Sequence, residues 1–131
     1  MNMTYTFKKI SIIVPAYNEA NTIRKLVEKI FSVSFQIDFE LVIVDDHSND
    51  RTFRIAKILQ NRNLNHQIKL LRNDPNQGKG FSIVRGVENA TGDLMVIQDA
   101  DFEYDPHEIP MLIQPILDGK TQVVFGSRFM H

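Results

Sequence analysis

The chain has no cysteine, so disulfides and thiolate metal sites are excluded, and the composition fits a reducing compartment. It has no excess of one charge either. Fifteen Lys and Arg stand against sixteen Asp and Glu, a formal net charge of -1, which gives no reason to expect nucleic acid or an anionic membrane as an electrostatic partner. No apolar run approaches the roughly 20 residues that span a bilayer. The start, Met1 to Phe7, lacks the basic-then-apolar layout of a secretory signal. Internal repeats, low-complexity tracts and linkers are absent as well. What remains, 131 residues of ordinary globular composition, is one domain (1–131) with one core.

Apolar β-branched runs alternate with helical periodicity. Ile10 to Val14 forms a first strand stopped by Pro15, and Ile23, Leu26, Val27, Ile30 and Phe31 mark a helix ending near Ser32. Leu41 to Val44 is a second strand whose continuous apolar character implies cover on both faces. A second helix carries Ile55, Ile58 and Leu59, with Ser48, Asn49 and Asp50 as candidate caps. Ile68 to Leu71 is a weaker strand, and Phe81, Val84 and Val87 give the stripe of a third helix. Leu94 to Ile97 is a fourth strand. A helix bent or shortened by Pro110 and Pro115 follows Pro106, and Val123 to Phe125 is a last strand. This alternation predicts an α/β domain with a mainly parallel, doubly wound sheet, one apolar stripe of each helix being consumed by the sheet. Ligands of such sheets bind beyond the carboxyl ends of the strands, where strand order reverses. Tyr17-Asn18-Glu19, Asp45-Asp46-His47-Ser48, the acidic run after the fourth strand and Ser127-Arg128 all follow strands, so they gather on one rim.

That acidic run carries the chemistry. Asp99, Asp101, Glu103 and Asp105 alternate after the fourth strand, and in extended backbone residues two apart point the same way. Carboxylates brought together repel unless a cation sits among them, and hard oxygen ligands suit Mg²⁺ or Mn²⁺, whose natural partner here is a diphosphate. A solvated acidic loop is the plain alternative. A calcium loop is excluded, because Tyr104 and Pro110 stand where it needs glycine and glutamate. Asp45 and Asp46 could cap the second helix, or accept a hydrogen bond from a base or ribose. Gly78-Lys79-Gly80 could be a flexible lead into a helix, or could bring amide groups and a lysine toward phosphate. Arg128 could clamp a diphosphate or be a surface arginine. No P-loop spacing and no Gly-x-Gly-x-x-Gly after the first strand are found, which argues against ATPase and NAD chemistry. The four histidines show no metal-ligand spacing.

Taken together, Val14-Pro15-Ala16-Tyr17-Asn18-Glu19, Val44-Asp45-Asp46-His47-Ser48, Asn76-x-Gly78-Lys79-Gly80, Gln98-Asp99-Ala100-Asp101 and Gly126-Ser127-Arg128-Phe129 resemble the family 2 glycosyltransferases. The likeness is strongest to the branch making polyprenyl-phosphate sugars, such as dolichol-phosphate mannose synthases and dolichyl-phosphate glucosyltransferases. The resemblance implies a Rossmann-like GT-A fold, a nucleotide-sugar donor of GDP-mannose or UDP-glucose type, a divalent cation and inversion at the anomeric carbon. It implies that Pro15, Tyr17, Glu19, Val44 and Asp46 line the nucleoside pocket, and that Asp99, Ala100 and Asp101 meet ribose, diphosphate and metal. Lys79 and Arg128 would face the phosphates. Glu103 would be a further metal ligand, where the mannose synthases often have glutamine. Members of the family continue beyond the Gly-Ser-Arg-Phe segment into an acceptor-binding region, so the resemblance covers the donor part and leaves the domain incomplete at its C-terminus. A polyprenyl-phosphate acceptor, cytoplasmic location at a membrane face, and peripheral membrane association or a membrane partner subunit follow from the same likeness. Two other classes stay open: a nucleotide-sugar-binding module without turnover, and a nucleotidyltransferase.

Overall fold

The alternating runs fold as β1 (Lys9–Ala16), α1 (Ile23–Ser32), β2 (Asp38–Asp45), α2 (Thr52–Arg62), β3 (Ile68–Arg72), α3 (Lys79–Asn89), β4 (Leu94–Ile97) and α4 (Ile109–Leu117) in a computed structural model. A single 3₁₀ turn, Pro106–Glu108, precedes α4. The structure describes residues 6–62, 67–101 and 104–120; the strand expected at Val123 to Phe125 lies outside them. The described strands form one sheet, all parallel, in the order β3-β2-β1-β4.

β1 and β2 are buried almost throughout because helices cover both faces. On one face Ile10, Ile12, Val14, Leu41 and Ile43 pack with Ile23, Leu26, Val27 and Ile30 of α1, Ala56 and Leu59 of α2, and Ile109 and Ile113 of α4. On the other, Ile13, Val42 and Val44 form a smaller cluster under α3.

β1 runs on through Pro15, which the sequence marks as its stop. The Ile13 carbonyl accepts from Gln98 on the β4 side and the Ala16 carbonyl accepts from Asp46 on the β2 side. Alternation along the strand therefore turns Pro15 toward β4, whose pairing has ended at Ile13, so no ladder donor is missed there.

α3 overturns the expected stripe. Phe81, Val84 and Val87 are exposed, and Ser82 and Gly86 are the buried positions. The helix lies so close to the sheet that a Cβ on Gly86 would sit 2.5 Å from Ile13 Cγ2 and 3.3 Å from Val44 Cγ2. Only small residues at four-residue spacing, Ser82 and Gly86 with Ala90 at the helix end, permit that approach. Met95 and Ile97 of β4, which share this side of the sheet with Ile13, are also exposed.

Candidate active site

Strand order turns at the boundary between β1 and β4. From β1 the chain builds outward through β2 to β3, then returns to place β4 on the other side. Loops leaving the carboxyl ends of β1 and β4 thus part to opposite directions and open a crevice, the general ligand position in such sheets. A pocket of about 140 Å³ lies there, lined by Pro15, Ala16, Tyr17, Glu19, Asp46, Lys79, Ser82, Asp99, Ala100 and Asp101. Ligand pockets run from about 300 to 1,000 Å³, so this one has room for only part of a ligand of nucleotide size. Eight of the residues singled out from sequence are brought together in it; Ala16 and Ser82 are additions.

The loop after β4 is fixed from inside. Gln98 is buried, and its amide donates to the Tyr104 carbonyl at 2.9 Å, spanning the turn that carries Asp99 and Asp101. Thr22, at the start of α1, donates its hydroxyl to the Ala100 carbonyl at 2.7 Å. Ala100 itself is buried and lines the pocket between Asp99 and Asp101. The backbone turns at Ala100–Asp101, so the strand-like alternation expected over the whole acidic run does not persist. Asp105 departs from the set. It begins the 3₁₀ turn, accepts from the His107 N–H at 2.9 Å and pairs with Lys29 at 3.4 Å. Those donors hold its carboxyl below its usual pKa against a smaller effect of burial.

The loop after β1 is tied to the loop after β2. The Asn18 N–H donates to Ser48 Oγ at 2.9 Å, and the Asn18 side chain accepts from the Asn49 N–H at 2.9 Å, with Asn18 in the left-handed region at φ 54°. The Glu19 N–H reaches Thr52 Oγ1 at 2.8 Å, and Asp50 accepts from both Thr52 and the Ala20 N–H, which joins the starts of α1 and α2. Asp50 is therefore the acid at the start of α2. Asp45, fully buried, instead accepts from the Ser48 N–H and hydroxyl and faces Arg72 Nε at 3.3 Å.

Asp46 has a role that its sequence position does not reveal. Its Oδ1 accepts from Asn73 Nδ2 at 2.9 Å and the Gln77 N–H at 2.7 Å; its Oδ2 accepts from Asn76 Nδ2 and the Gly78 N–H, both at 2.9 Å. Four donors match the acceptor capacity of a carboxylate. Burial acts to raise the Asp46 pKa, but the bonds from Gln77, Asn73 and Gly78 outweigh it and hold the group below its usual value. Asp46 thus anchors the segment leading into α3, where Gly78 takes φ 98° and Lys79 opens the helix at the pocket. Partners 27 to 32 residues away leave no local sequence signal.

Val44 does not join the pocket. It is fully buried with Ile13 and Val42, so its side chain serves the sheet–α3 packing. Glu103 and Arg128 lie outside the described residues.

Electrostatically the pocket is lopsided. Glu19, Asp46, Asp99 and Asp101 supply four carboxylates, and among the described residues Lys79 is the single cation in the lining. Its ammonium sits 2.5 Å from Asp99 Oδ1. Among the described residues no group of three or more His, Cys, Asp or Glu is placed to hold a metal. Asp99 and Asp101 remain as a pair, the number of carboxylates a Mg²⁺ site often uses when substrate phosphates and waters complete the shell. The donor set therefore fits such an ion.

Comparison with known proteins identifies this α/β sheet as the fold of the GT-A glycosyltransferases. It belongs to the family described as glycosyl transferase family 2, whose model matches residues 11–131. It is 34% identical over 122 residues to a dolichol-phosphate mannosyltransferase of Pyrococcus furiosus, covering 93% of this chain and 34% of that protein. It is likewise 34% identical over 122 residues to an undecaprenyl-phosphate 4-deoxy-4-formamido-L-arabinose transferase of Proteus mirabilis, covering 92% and 36%. Among solved structures, a Pyrobaculum calidifontis mannosyltransferase in complex with GDP-Man and Mn²⁺ superposes with TM-score 0.70 at 28% identity, covering 80% of this chain and 30% of that one. A Mycobacterium tuberculosis glucosyl-3-phosphoglycerate synthase with Mn²⁺, UDP and glucosyl-3-phosphoglycerate gives TM-score 0.67 at 26% identity, covering 84% and 40%. The chain spans about a third of the length of the named relatives. Among the described residues no helix is long and apolar enough to cross a membrane.

Proposed function

We propose that the chain provides the donor site of an inverting hexosyltransferase. In this reading a GDP-mannose- or UDP-glucose-type donor lies in the pocket, Mg²⁺ or Mn²⁺ is held by Asp99 and Asp101, and a polyprenyl phosphate is the acceptor. The observation that carries it is the convergence of Asp99 and Asp101 with Pro15, Tyr17, Glu19 and Lys79 in one pocket at the sheet's switch point. The relatives named for dolichol- and undecaprenyl-phosphate transfer support the acceptor class, and the neighbours solved with GDP-Man, UDP and Mn²⁺ support the donor and the ion.

Each residue then has a task. Tyr17, half exposed beside Pro15, offers an aromatic face to the base. Lys79 and the first-turn amides of α3, which have no intrahelical acceptor, favour the diphosphate. When bound, the divalent ion supplies stabilisation of the charge that grows on the departing diphosphate. Gln98 and Thr22 position the loop bearing Asp99 and Asp101. A phosphate acceptor is already anionic and needs no general base. Glu103 and Arg128 remain the sequence's candidates for a further metal ligand and a phosphate clamp.

Calorimetry with GDP and UDP, with and without Mn²⁺, tests the reading. Binding should require the ion, and Asp101→Asn should remove most of the metal-dependent affinity, a loss of about 2–3 kcal/mol for a charged ligand group. A variant that binds either nucleotide as the parent does in Mn²⁺ would show the site to be misplaced.

A further inference from the structure

Lys79 stands where two demands meet. Its side chain is 61% exposed and rooted at the start of α3, yet its ammonium lies 2.5 Å from Asp99, whose side chain is 17% exposed. Asp99 is also one of the two carboxylates that the proposed function gives to the metal. An ammonium in hydrogen-bonding contact and a divalent ion cannot share Asp99 Oδ1 without strong repulsion between the cations. With four carboxylates and one described cation in the lining, the free pocket needs that ammonium to relieve the repulsion among its acids. A pocket containing a divalent ion and a diphosphate has a different need, because the phosphates bring new anionic oxygens within reach of a flexible lysine.

We propose that Lys79 is an exchangeable counter-cation. It holds Asp99 in the free protein, is displaced by the divalent ion, and moves to the diphosphate that arrives with it. The inference rests on the donor-site reading and adds an order to it: the ion alone competes with Lys79, while ion and nucleotide together recruit it. Binding of metal and of nucleoside diphosphate are then positively coupled through one side chain, and the coupling is reciprocal. Asp46 supports the exchange at a distance, since its bonds to the Gln77 and Gly78 amides fix the segment from which Lys79 projects.

The test is the Mn²⁺ affinity of the parent and of Lys79→Met, by calorimetry and by electron paramagnetic resonance of free Mn²⁺, each with and without saturating GDP or UDP. Lys79 is exposed, so the substitution leaves the core untouched, and circular dichroism checks the fold. Without nucleotide, Lys79→Met should bind Mn²⁺ roughly threefold or more tightly than the parent, the size of a partly exposed ion pair. With nucleotide the gain should vanish, so the factor by which nucleotide tightens Mn²⁺ shrinks in the variant. A mere background charge would change Mn²⁺ affinity by the same factor in both states, and that result overturns the exchange; so does an unchanged affinity in the absence of nucleotide. If the parent binds no Mn²⁺ even with nucleotide present, the donor-site reading fails, and the exchange with it.

Discussion

Asp46 makes the case at the scale of a single residue. Four donors from a segment 27 to 32 residues away converge on its carboxylate, and it also lines the pocket. Asp46→Ala should therefore act twice. Loss of the charged acceptor should cost about 2–3 kcal/mol of stability, more than the roughly 1 kcal/mol of a lost helix cap. It should also weaken nucleoside diphosphate binding, because Lys79 loses its anchor. Urea denaturation and calorimetry check the two effects; reduced affinity with unchanged stability would make Asp46 a contact residue alone. The same group predicts a pH dependence. Its folded pKa is below the unfolded value, so the stability it contributes is complete above the ordinary carboxylate pKa of about 4 and is lost as pH falls through the lowered folded value. Asp50, held down by Thr52 and the Ala20 N–H against the effect of burial, acts in the same direction. The urea midpoint should fall steeply on acidification below about pH 4, and Asp46→Asn should flatten that slope. The strand end put Asp46 on the rim, and the resemblance to family 2 glycosyltransferases put it in the pocket. Neither could show the anchoring, which depends on a loop brought near only by the packing of α3.

At the scale of the elements, the strands were legible because parallel pairing buries both faces, and Ile, Val and Leu runs such as Leu41 to Val44 follow directly. The helices were legible in position but not always in orientation. Of the five residues its periodicity indicates, α1 buries Ile23, Leu26, Val27 and Ile30 and partly buries Phe31. α3 does not bury Phe81, Val84 and Val87, because what β1 and β2 offer it is a surface already filled by Ile13 and Val44. A helix meeting such a surface settles on its smallest side, and Ser82, Gly86 and Ala90 at four-residue spacing were the signal for it. Two glycines of this helix should then respond with opposite signs. Gly86→Ala gains about 1 kcal/mol of helix propensity but overpacks against Ile13 at a cost of about 1–3 kcal/mol, so it should destabilise or at best break even. Gly80→Ala meets nothing within 4 Å and should stabilise by up to about 1 kcal/mol. Denaturant midpoints of the two variants give the comparison directly. A stabilised Gly86→Ala would mean that α3 lies farther from the sheet.

At the scale of the whole molecule, the order β3-β2-β1-β4 opens the crevice between β1 and β4, and the proposed donor site there is lined by an aromatic beside the loop after β1, a lysine at the start of α3 and two acids after β4. The chain spans about a third of the length of relatives named for transfer to lipid phosphates. Transfer needs the acceptor phosphate held in line with the anomeric carbon, and orientation of that kind can account for about 7–11 kcal/mol of a barrier. In the proposed reading these 131 residues hold the donor, and donor binding by itself forgoes most of it. The purified 131-residue chain should accordingly bind GDP or UDP in Mn²⁺ yet transfer sugar to a short polyprenyl phosphate slowly, with hydrolysis of the nucleotide sugar as the larger flux. The measurement is product formation from labelled GDP-mannose and UDP-glucose, with and without the lipid phosphate, beside a full-length relative under the same conditions. Donor hydrolysis that the lipid phosphate leaves unchanged fits a donor site acting alone. Transfer at a rate near that of the full-length relative would show instead that this chain positions both reactants.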